Sequence, residues 1–544
     1  MKRRAIPVLL CLTMLMGTTA CSNTQGTDTD TTEYANSLFD DTYVHTIDIQ
    51  IDDESWADLL ANPTEQTKYK TTVVIDGNTT ENVSFATKGN SSLSQVAGSD
   101  SDRYSFKINF SKFVEGQTYG GLDKLNLQNI FSDATYMKDY LAYEIMRESG
   151  VASPLTSYIS VSINGELFGL YLALEDISTS FLERTYEADY GDLYKPETEM
   201  LGNMGQHDIK NMERPEGMEP PAGMDGPEGA EDIQNHGQTP TQANAEIGEQ
   251  TGMPQNIGQR PKGGMGMGGT AKGADLAYTD DEISSYSDIF DNAETDATDE
   301  DKARLISSLK QLSTGENLEQ CVDVDAVTRY FVAHNFLLNG DSYTGSMLHN
   351  YWLYEEDGIL TMLPWDYNLA FGGFHMNGDK DATSIVNTAI DTPLDEQNVG
   401  NRPMWDKLMA RDENLQLYHE YFNKLISDYF ESGEFESTVS RVSTMIRPYI
   451  ENDPTAWYTV DEFDSGVDTI TQFCLLRAES IRKQLDGTLA STTDAQEAAD
   501  MVDASTIDIS AMGSQGRGKD SEGRGGERKD NPREQMSATT EEKN

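Results

Sequence analysis

Residues 198–275 interrupt the pattern of the chain and constrain its fold more than any other stretch. Runs such as NMERPEGMEPPAGMDGPEGAED and QRPKGGMGMGGTAKG are rich in Gly, Pro, Met and Glu and have no helix or strand periodicity. Such a composition cannot bury enough apolar surface to offset the entropy of an ordered chain. We therefore predict a disordered insertion with folded chain on both sides; the alternative interpretation is a methionine-rich metal site.

The stretches on the two sides of the insertion differ in kind. Before it, runs such as KTTVVIDG alternate polar and apolar residues, which is typical of strands. After it, runs such as AVTRYFVAHNFLLNG have the apolar spacing of helices. The sequence thus predicts an α+β protein with a β-rich N-terminal part over residues 41–197 and a mainly helical part over residues 276–488. We expect residues 489–544 to form a disordered polar tail.

The N-terminus has the pattern of an export signal. Residues 1–20, MKRRAIPVLLCLTMLMGTTA, join a basic region to an apolar run too short for a comfortable membrane span. The following GTTAC resembles a bacterial lipobox, in which Cys21 would be lipidated; the alternative is a plain secretory signal before an incidental cysteine. Residues 21–40 are rich in Thr, Asp and Ser and predict a flexible linker. We expect a lipoprotein anchored at the extracellular face of the cell membrane.

Charge and cysteine content exclude some classes of function. The formal net charge of -53 is unsuited to binding a polyanion, so nucleic acid is not an expected partner. Beyond the signal and lipobox, the cysteines are Cys321 and Cys474, which lack the paired spacing of a zinc site. We predict buried free thiols.

Residues 334–373 contain the polar positions with the clearest chemistry. A helix is predicted to stop at Asn339 and Gly340, so Asp341 begins a loop. Asn350 then opens a strand, EEDG reverses it, and the returning strand ends at Asp366. Because antiparallel strands joined by a short turn bring their outer ends together, Asn350 should lie beside Asp366, within reach of Asp341.

The order aspartate, asparagine, hairpin, aspartate is that of a kinase active site. There, one aspartate lies near the nucleophilic hydroxyl, and an asparagine and a second aspartate hold metal ions on the nucleotide phosphates. Oxygen ligands suit Mg²⁺ or Mn²⁺. This order predicts a catalytic role for Asp341 and metal-binding roles for Asn350 and Asp366, with ATP as the nucleotide.

A kinase also needs an upstream cation on a strand and an acidic partner on a helix. Lys107 lies in the predicted strand YSFKINF, and Glu144 lies in the helix that follows. The turn KGNSS, with Lys88, Asn90 and Ser91, exposes backbone N–H groups that suit phosphate binding. The alternatives are a solvated strand lysine, an exposed helix glutamate and an ordinary turn.

The segments KGNSS, YSFKINF, INGELFGLYLALEDI, NGDSYTGSMLHNYWLY and LPWDYNLAFGG together resemble the spore coat protein H (CotH) family of kinase-like proteins. The likeness spans roughly residues 45–485, apart from the insertion. It implies an atypical two-lobed protein kinase fold in a secreted protein that uses ATP and a divalent metal to phosphorylate Ser or Thr on surface or coat proteins. By position it implies a catalytic Asp341, metal-binding Asp366 and Asn350, and a nucleotide-binding Lys107.

Two other functions remain open from the sequence. A non-catalytic surface scaffold is one, because an exported protein meets little ATP outside the cell. A phosphoesterase with a metal-bound water is the other, because Asp341, Asn350 and Asp366 suit that chemistry as well. The flanking histidines, His334 and His349, are interpreted as packing residues.

Overall fold

The computed structural model describes residues 32–198, 271–374, 381–395 and 398–513. These residues form an α+β protein, which confirms the predicted class. Cys21 and the expected signal lie outside the described residues, as does most of the expected insertion. No helix in the described ranges is long and apolar enough to cross a membrane.

Seven strands close into a barrel in the order β1-β2-β3-β4-β5-β7-β6. Neighbours are antiparallel except β1 and β6, whose parallel pairing closes the barrel. Alternate side chains point inward, and those of Phe85, Phe106 and Leu127 lie in a barrel core. The strands are β1 His45–Gln50, β2 Tyr69–Ile75, β3 Asn78–Lys88, β4 Ser105–Asn109, β5 Lys124–Gln128, β6 Thr156–Ile163 and β7 Glu166–Glu175.

A second sheet has three strands in the order β10-β9-β8: β8 is Asp192–Tyr194, β9 is Tyr351–Glu356 and β10 is Ile359–Pro364. Strands β9 and β10 form the predicted hairpin, with Tyr351 opposite Pro364 at its outer end. Strand β8 precedes the insertion in sequence and pairs with β9, which follows it. The sheet therefore joins the two halves of the chain.

Helices pack around the barrel and the second sheet. The N-terminal half contains α1 Glu33–Ser37, α2 Asp53–Ala61, α3 Ser91–Ala97, α4 Lys138–Glu148 and α5 Thr179–Tyr186. The C-terminal half contains α6 Ser287–Phe290, α7 Asp299–Thr314, α8 Val324–Leu337, α9 Ala382–Val386, α10 Pro403–Met409, α11 Asp412–Leu425, α12 Glu434–Glu451 and α13 Val460–Asp486. Thr298 and Thr459 begin α7 and α13 with capping boxes. The thiols of Cys321 and Cys474 are free and buried, as predicted.

The described residues form two large apolar cores and one smaller one. The first large core fills the barrel, and the second joins α4 to the C-terminal helices. The third, which we call the seam cluster, contains Leu174 from β7, Phe181 from α5, Trp352 from β9, and Leu363 and Trp365 from β10 and its end. The seam cluster fixes the outer face of the barrel against the hairpin that carries Asp366.

Two segments expected to lack structure are folded in part. In the expected linker, α1 places Tyr34 in the core, where its hydroxyl donates to Glu175 Oε1 at 2.5 Å. In the expected insertion, residues 271–275 pack against the helical part: Ala274 is buried, and its carbonyl accepts a hydrogen bond from Tyr351 Oη at 2.6 Å. These segments have too few apolar residues to show periodicity, so the sequence did not reveal their tertiary contacts.

The expected polar tail is likewise folded over its first part. Residues 489–513 are hydrogen-bonded to residues 383–392 and pack on α13 through residues 509–512, and Val502, Ala504 and Met512 are buried. The carbonyl of Met512 accepts a hydrogen bond from the N–H of Ala134, just before α4, at 3.1 Å. We call residues 489–513 the C-terminal strap. Its isolated apolar residues gain burial only against other elements, so composition alone predicted disorder wrongly here.

Candidate active site

The outer face of the barrel presents polar side chains toward the hairpin. Lys107 on β4 is opposite Ala86 and Asn126, so its side chain and that of Lys88 leave the barrel on one face. Lys107 Nζ lies 2.7 Å from Asp176 Oδ2, and Asn126 Nδ2 donates to the same oxygen at 2.8 Å. Burial acts to raise the pKa of Asp176, but Lys107 holds it below its usual value.

Glu144 does not pair with Lys107. Its carboxylate binds Arg147 on the same helix, with 2.6 Å between Oε2 and Nη2. Strand β5, absent from the predicted elements, pairs with both β4 and β7 and so brings the end of β7 close to Lys107. The expected Lys107–Glu144 pair is therefore corrected to a pair between Lys107 and Asp176, the residue that follows β7.

Lys88 ends β3 and points at the hairpin. Its Nζ lies 5.2 Å from the centre of the Trp365 ring, one residue before Asp366. Desolvation lowers the pKa of Lys88 to about 8, although the charges of Asp366 and Asp176 oppose that shift. Lys88 is therefore a partly buried cation on which the charges of Asp366 and Asp176 both act.

Asn90 and Ser91 follow Lys88 directly, at the start of α3, and both are exposed. Gly89 has a φ of 113°, which an L residue rarely adopts, so the chain can turn sharply after Lys88. The predicted KGNSS turn is thus adjacent to the lysine, and its side chains are open to solvent.

The loop after α8 brings Asp341 and Asn350 together. Asn350 Nδ2 donates to the Asp341 carbonyl at 2.9 Å and to its Oδ2 at 3.2 Å. His349 Nε2 lies 2.5 Å from Asp341 Oδ1, so both carboxylate oxygens are engaged. The predicted proximity of Asp341 and Asn350 is confirmed, and His349, interpreted as a packing residue, contacts the candidate catalytic carboxylate.

Asp366 faces this loop from the end of β10. Desolvation raises its pKa, Lys88 opposes the rise, and Asp341 adds to it. Asn350 and Asp366 have φ values of 56° and 57°, a left-handed conformation that costs energy for residues other than glycine. Such strained residues tend to occur at functional sites, and these two were predicted metal ligands.

Asp139 is a further carboxylate at this site that the sequence did not single out. It lies in the first turn of α4, and desolvation together with the charge of Asp366 raises its pKa to about 8, against the effect of Lys88. Its Oδ1 is buried and has no hydrogen-bond partner among the described residues. Helical spacing was the available signal, because residues four apart lie on the same face of a helix. Asp139 therefore shares a face with Tyr143, whose hydroxyl accepts a hydrogen bond from the Asp366 N–H at 3.2 Å. Glu144 does not lie on that face.

Lys195 is a second residue missed from the sequence. It follows β8, and its charge acts on both Lys88 and Asp366. Its Nζ lies 2.5 Å from Glu197 Oε1 and 5.9 Å from the centre of the Trp352 ring. Because β8 is only three residues long and precedes the insertion, its position beside the hairpin depends on pairing that the sequence does not show.

These residues suit a nucleotide carrying a divalent metal. In the described part of the chain, no three Asp, Glu, His or Cys side chains are close enough to hold an ion by themselves. Mg²⁺ keeps several of its waters and needs only one or two carboxylates from the protein. Asp366, with the side-chain oxygen of Asn350, would therefore be a sufficient set of protein ligands. The unpartnered Oδ1 of Asp139 adds a buried carboxylate oxygen to this site that is free to accept a further partner.

Lysines, aspartates and an asparagine that converge on an α+β scaffold are the residue set of a kinase-like protein. The CotH kinase protein family matches residues 85–481, which is well over half of the sequence, and the chain belongs to that family. A relative, the inner spore coat protein H of Bacillus subtilis (strain 168), is 20% identical over 375 residues, which make up 69% of this chain and 81% of the relative.

Proposed function

We propose that this chain is a protein kinase that transfers the γ-phosphoryl group of ATP to a Ser or Thr hydroxyl of a surface or coat protein. One observation carries the proposal: Asp366, at the end of β10, is close enough to Lys88 at the end of β3 and to Asp341 in the loop after α8 for the charges of both to act on it. In the proposed two-lobed arrangement, the barrel is the N-terminal lobe, the C-terminal helices are the other lobe, and the site lies between them.

Each residue has a distinct role in this proposal. Asp341 would accept the proton of the acceptor hydroxyl, with His349 and Asn350 fixing its carboxylate. Asp366 and Asn350 would hold Mg²⁺ or Mn²⁺, and Lys88 and Lys107 would bind phosphate oxygens. When bound, ATP would supply the phosphoryl group, and the metal ion would offset the negative charge of the phosphates. Positioning and charge complementarity are the contributions of the protein.

The KGNSS turn and Glu144 have lesser roles. Asn90 and Ser91 are exposed beside Lys88 and would contact the phosphates from the barrel side. Glu144 contributes only indirectly, because its carboxylate is bound to Arg147. Asp176 takes over the function expected of Glu144, which is to orient Lys107.

The acceptor and the location are proposed on other grounds. The similarity to a protein named for the inner spore coat supports a coat or surface protein as the acceptor. The basic, then apolar N-terminal sequence before Cys21 supports export and a lipid anchor at the extracellular face of the membrane. Replacing Cys21 with serine and measuring lipid incorporation and membrane association tests this part separately.

The activity is tested with the exported chain lacking its first 21 residues. The chain is incubated with ATP labelled on the γ-phosphate, a divalent metal and a Ser- and Thr-containing protein. Label on protein supports the kinase; free phosphate without labelled protein supports a phosphoesterase instead. A chain that neither binds nucleotide nor transfers label would be a scaffold, and the proposal would be abandoned.

A further inference from the structure

His334 is a buried residue that contacts two segments of the candidate site, the loop that begins at Asp341 and the segment that follows Asp366. It is on α8 and is 2% exposed. Its Nδ1 lies 2.8 Å from Tyr367 Oη, and its Nε2 lies 2.7 Å from Thr344 Oγ1 and 3.2 Å from Ser342 Oγ. One imidazole ring therefore makes hydrogen bonds to two segments that are distant in sequence.

Both segments lead directly to the proposed chemistry. Tyr367 follows Asp366, so a hydrogen bond to its hydroxyl fixes the segment just after β10. Ser342 and Thr344 follow Asp341 in the loop that also holds Asn350. Neither segment belongs to a helix or a strand, so neither has the regular backbone hydrogen bonds of such an element.

The surroundings of His334 favour a neutral ring. Burial lowers its pKa to about 3, and the ring stacks on Tyr330 with 5.5 Å between ring centres and an interplanar angle of 6°. A neutral imidazole has one N–H donor and one acceptor nitrogen. The hydroxyl groups of Tyr367 and Thr344 can each donate or accept, so they satisfy both nitrogens at once.

We propose that His334 is a positioning residue that holds the loop of Asp341 and the segment of Asp366 in one fixed relation. As a consequence, two features fix the distance between Asp341, the proposed base, and Asp366, the proposed metal ligand. One is the β9–β10 hairpin, and the other is the set of hydrogen bonds made by His334. The catalytic part of this inference rests on the proposed kinase function. The structural part, the coupling of the two segments, does not.

Three substitutions separate this role from general stability. His334→Leu removes both sets of hydrogen bonds, Tyr367→Phe removes one, and Thr344→Val removes another at similar volume. Loss of positioning should lower kcat by roughly 10- to 100-fold for His334→Leu, with a much smaller change in the KM for ATP. Because the hydrogen bonds share one ring, adding Tyr367→Phe to His334→Leu should cost little more than His334→Leu alone.

His419→Leu is the control. His419 is also in the helical part, and its Nε2 lies 2.6 Å from Asp391 Oδ1, away from the candidate site. It should change thermal stability without a selective loss of kcat. If His334→Leu folds and keeps the kcat of the unchanged protein, or if its effect and that of Tyr367→Phe multiply, the positioning role is overturned. Should His334→Leu fail to fold, Tyr367→Phe and Thr344→Val provide the same test.

Amide hydrogen exchange tests the coupling without reference to activity. In His334→Leu, or in Tyr367→Phe if the former does not fold, we expect faster exchange in both residues 341–350 and residues 366–371. Faster exchange in one segment alone, or in neither, would overturn the coupling. An absence of phosphoryl transfer by the unchanged protein would overturn the proposed kinase function, and the exchange result would still decide whether His334 joins the two segments.

Discussion

Lys88 and Asp366 are partly buried, and the charge of each opposes the other's loss of charge. Desolvation lowers the pKa of Lys88 to about 8 and raises that of Asp366, and the charge of each counteracts the shift in the other. Strand β3 of the barrel supplies the lysine, and the end of the hairpin supplies the aspartate. The proposed phosphate-binding and metal-binding groups are therefore electrostatically linked across the seam between the barrel and the helical part.

The first prediction concerns the charge of Lys88. With a pKa of about 8, Lys88 is mostly protonated at pH 7 and loses its proton as the pH rises through 8. ATP affinity should therefore fall between pH 7 and pH 9. In Lys88→Arg this fall should flatten, because a guanidinium stays protonated throughout that range. Nucleotide affinity measured calorimetrically across this range checks the prediction, and parallel pH profiles for the two proteins would contradict it.

The second prediction concerns Asp139 and stability without divalent metal. Its pKa is raised from 3.8 to about 8, so between these values the folded chain holds a proton that the unfolded chain releases. The free energy of unfolding from this group therefore falls as the pH rises from 4 to 8. Asp139→Asn should remove this loss and be more stable than the unchanged protein at pH 8, by a margin that shrinks as the pH falls toward 4.

Urea unfolding at pH 5 and pH 8 measures this difference. Asp133, which precedes the same helix, provides a control: its Oδ2 accepts the Lys138 N–H at 2.8 Å, so Asp133→Asn should destabilise the protein at both pH values. An equal stability change at pH 5 and pH 8 for Asp139→Asn would show that its ionisation does not matter.

The third prediction concerns which carboxylate orients Lys107, that of Asp176 or that of Glu144. Asp176 is bound to Lys107 at 2.7 Å, and Glu144 is bound to Arg147. Asp176→Asn should release Lys107 and lower ATP affinity, whereas Glu144→Gln, the matched change, should leave ATP affinity nearly unaltered. Nucleotide titration of both variants decides between them; a larger loss in Glu144→Gln would restore the helix glutamate as the partner.

Local patterns predicted the parts of the site that are close in sequence. The strand–turn–strand pattern indicated the hairpin and hence the proximity of Asn350 and Asp366, since antiparallel pairing fixes which ends meet. The predicted helix stop at Asn339 and Gly340 likewise indicated the loop that follows, although the structure ends α8 slightly earlier, at Leu337. The order of the polar residues along this stretch then predicted Asp341 as a neighbour of Asn350.

Contacts across the fold were not predictable in the same way. Strand β5 has only five residues, and its pairing with β4 and β7 decides that Lys107 meets Asp176 rather than Glu144. Lys195 reaches the site only because β8 joins the second sheet. The folded C-terminal strap is a third case, since its burial depends on α13 and on the residues before α4. Sequence periodicity reports a single element and does not contain these pairings.

The fourth prediction concerns that strap. A chain ending at residue 513 should unfold at the same temperature as the full chain, whereas a chain ending at 488 should be less stable. Removing buried Val502 and Met512 alone forfeits roughly 1.5–3 kcal/mol for each side chain. The Lys138 Nζ contact with the Gly513 carbonyl at 3.3 Å is lost as well. Calorimetry of both truncations checks this, and equal melting temperatures would contradict it.

The last prediction separates the two aspartates of the proposed reaction. Asp341→Asn keeps an amide that Asn350 and His349 can still contact, but it removes the group that would accept the hydroxyl proton. It should therefore retain metal-dependent ATP binding and lose phosphoryl transfer by roughly 100-fold or more. Asp366→Asn removes a negatively charged metal ligand, so it should lose both metal-dependent ATP binding and phosphoryl transfer. The pKa of Lys88 should also fall further, because the charge of Asp366 no longer opposes the effect of desolvation.

Titration with ATP in the presence and absence of Mg²⁺, together with transfer of label, distinguishes the two variants. If Asp341→Asn lost the metal dependence and Asp366→Asn kept it, the roles assigned to the loop and to the hairpin end would have to be exchanged.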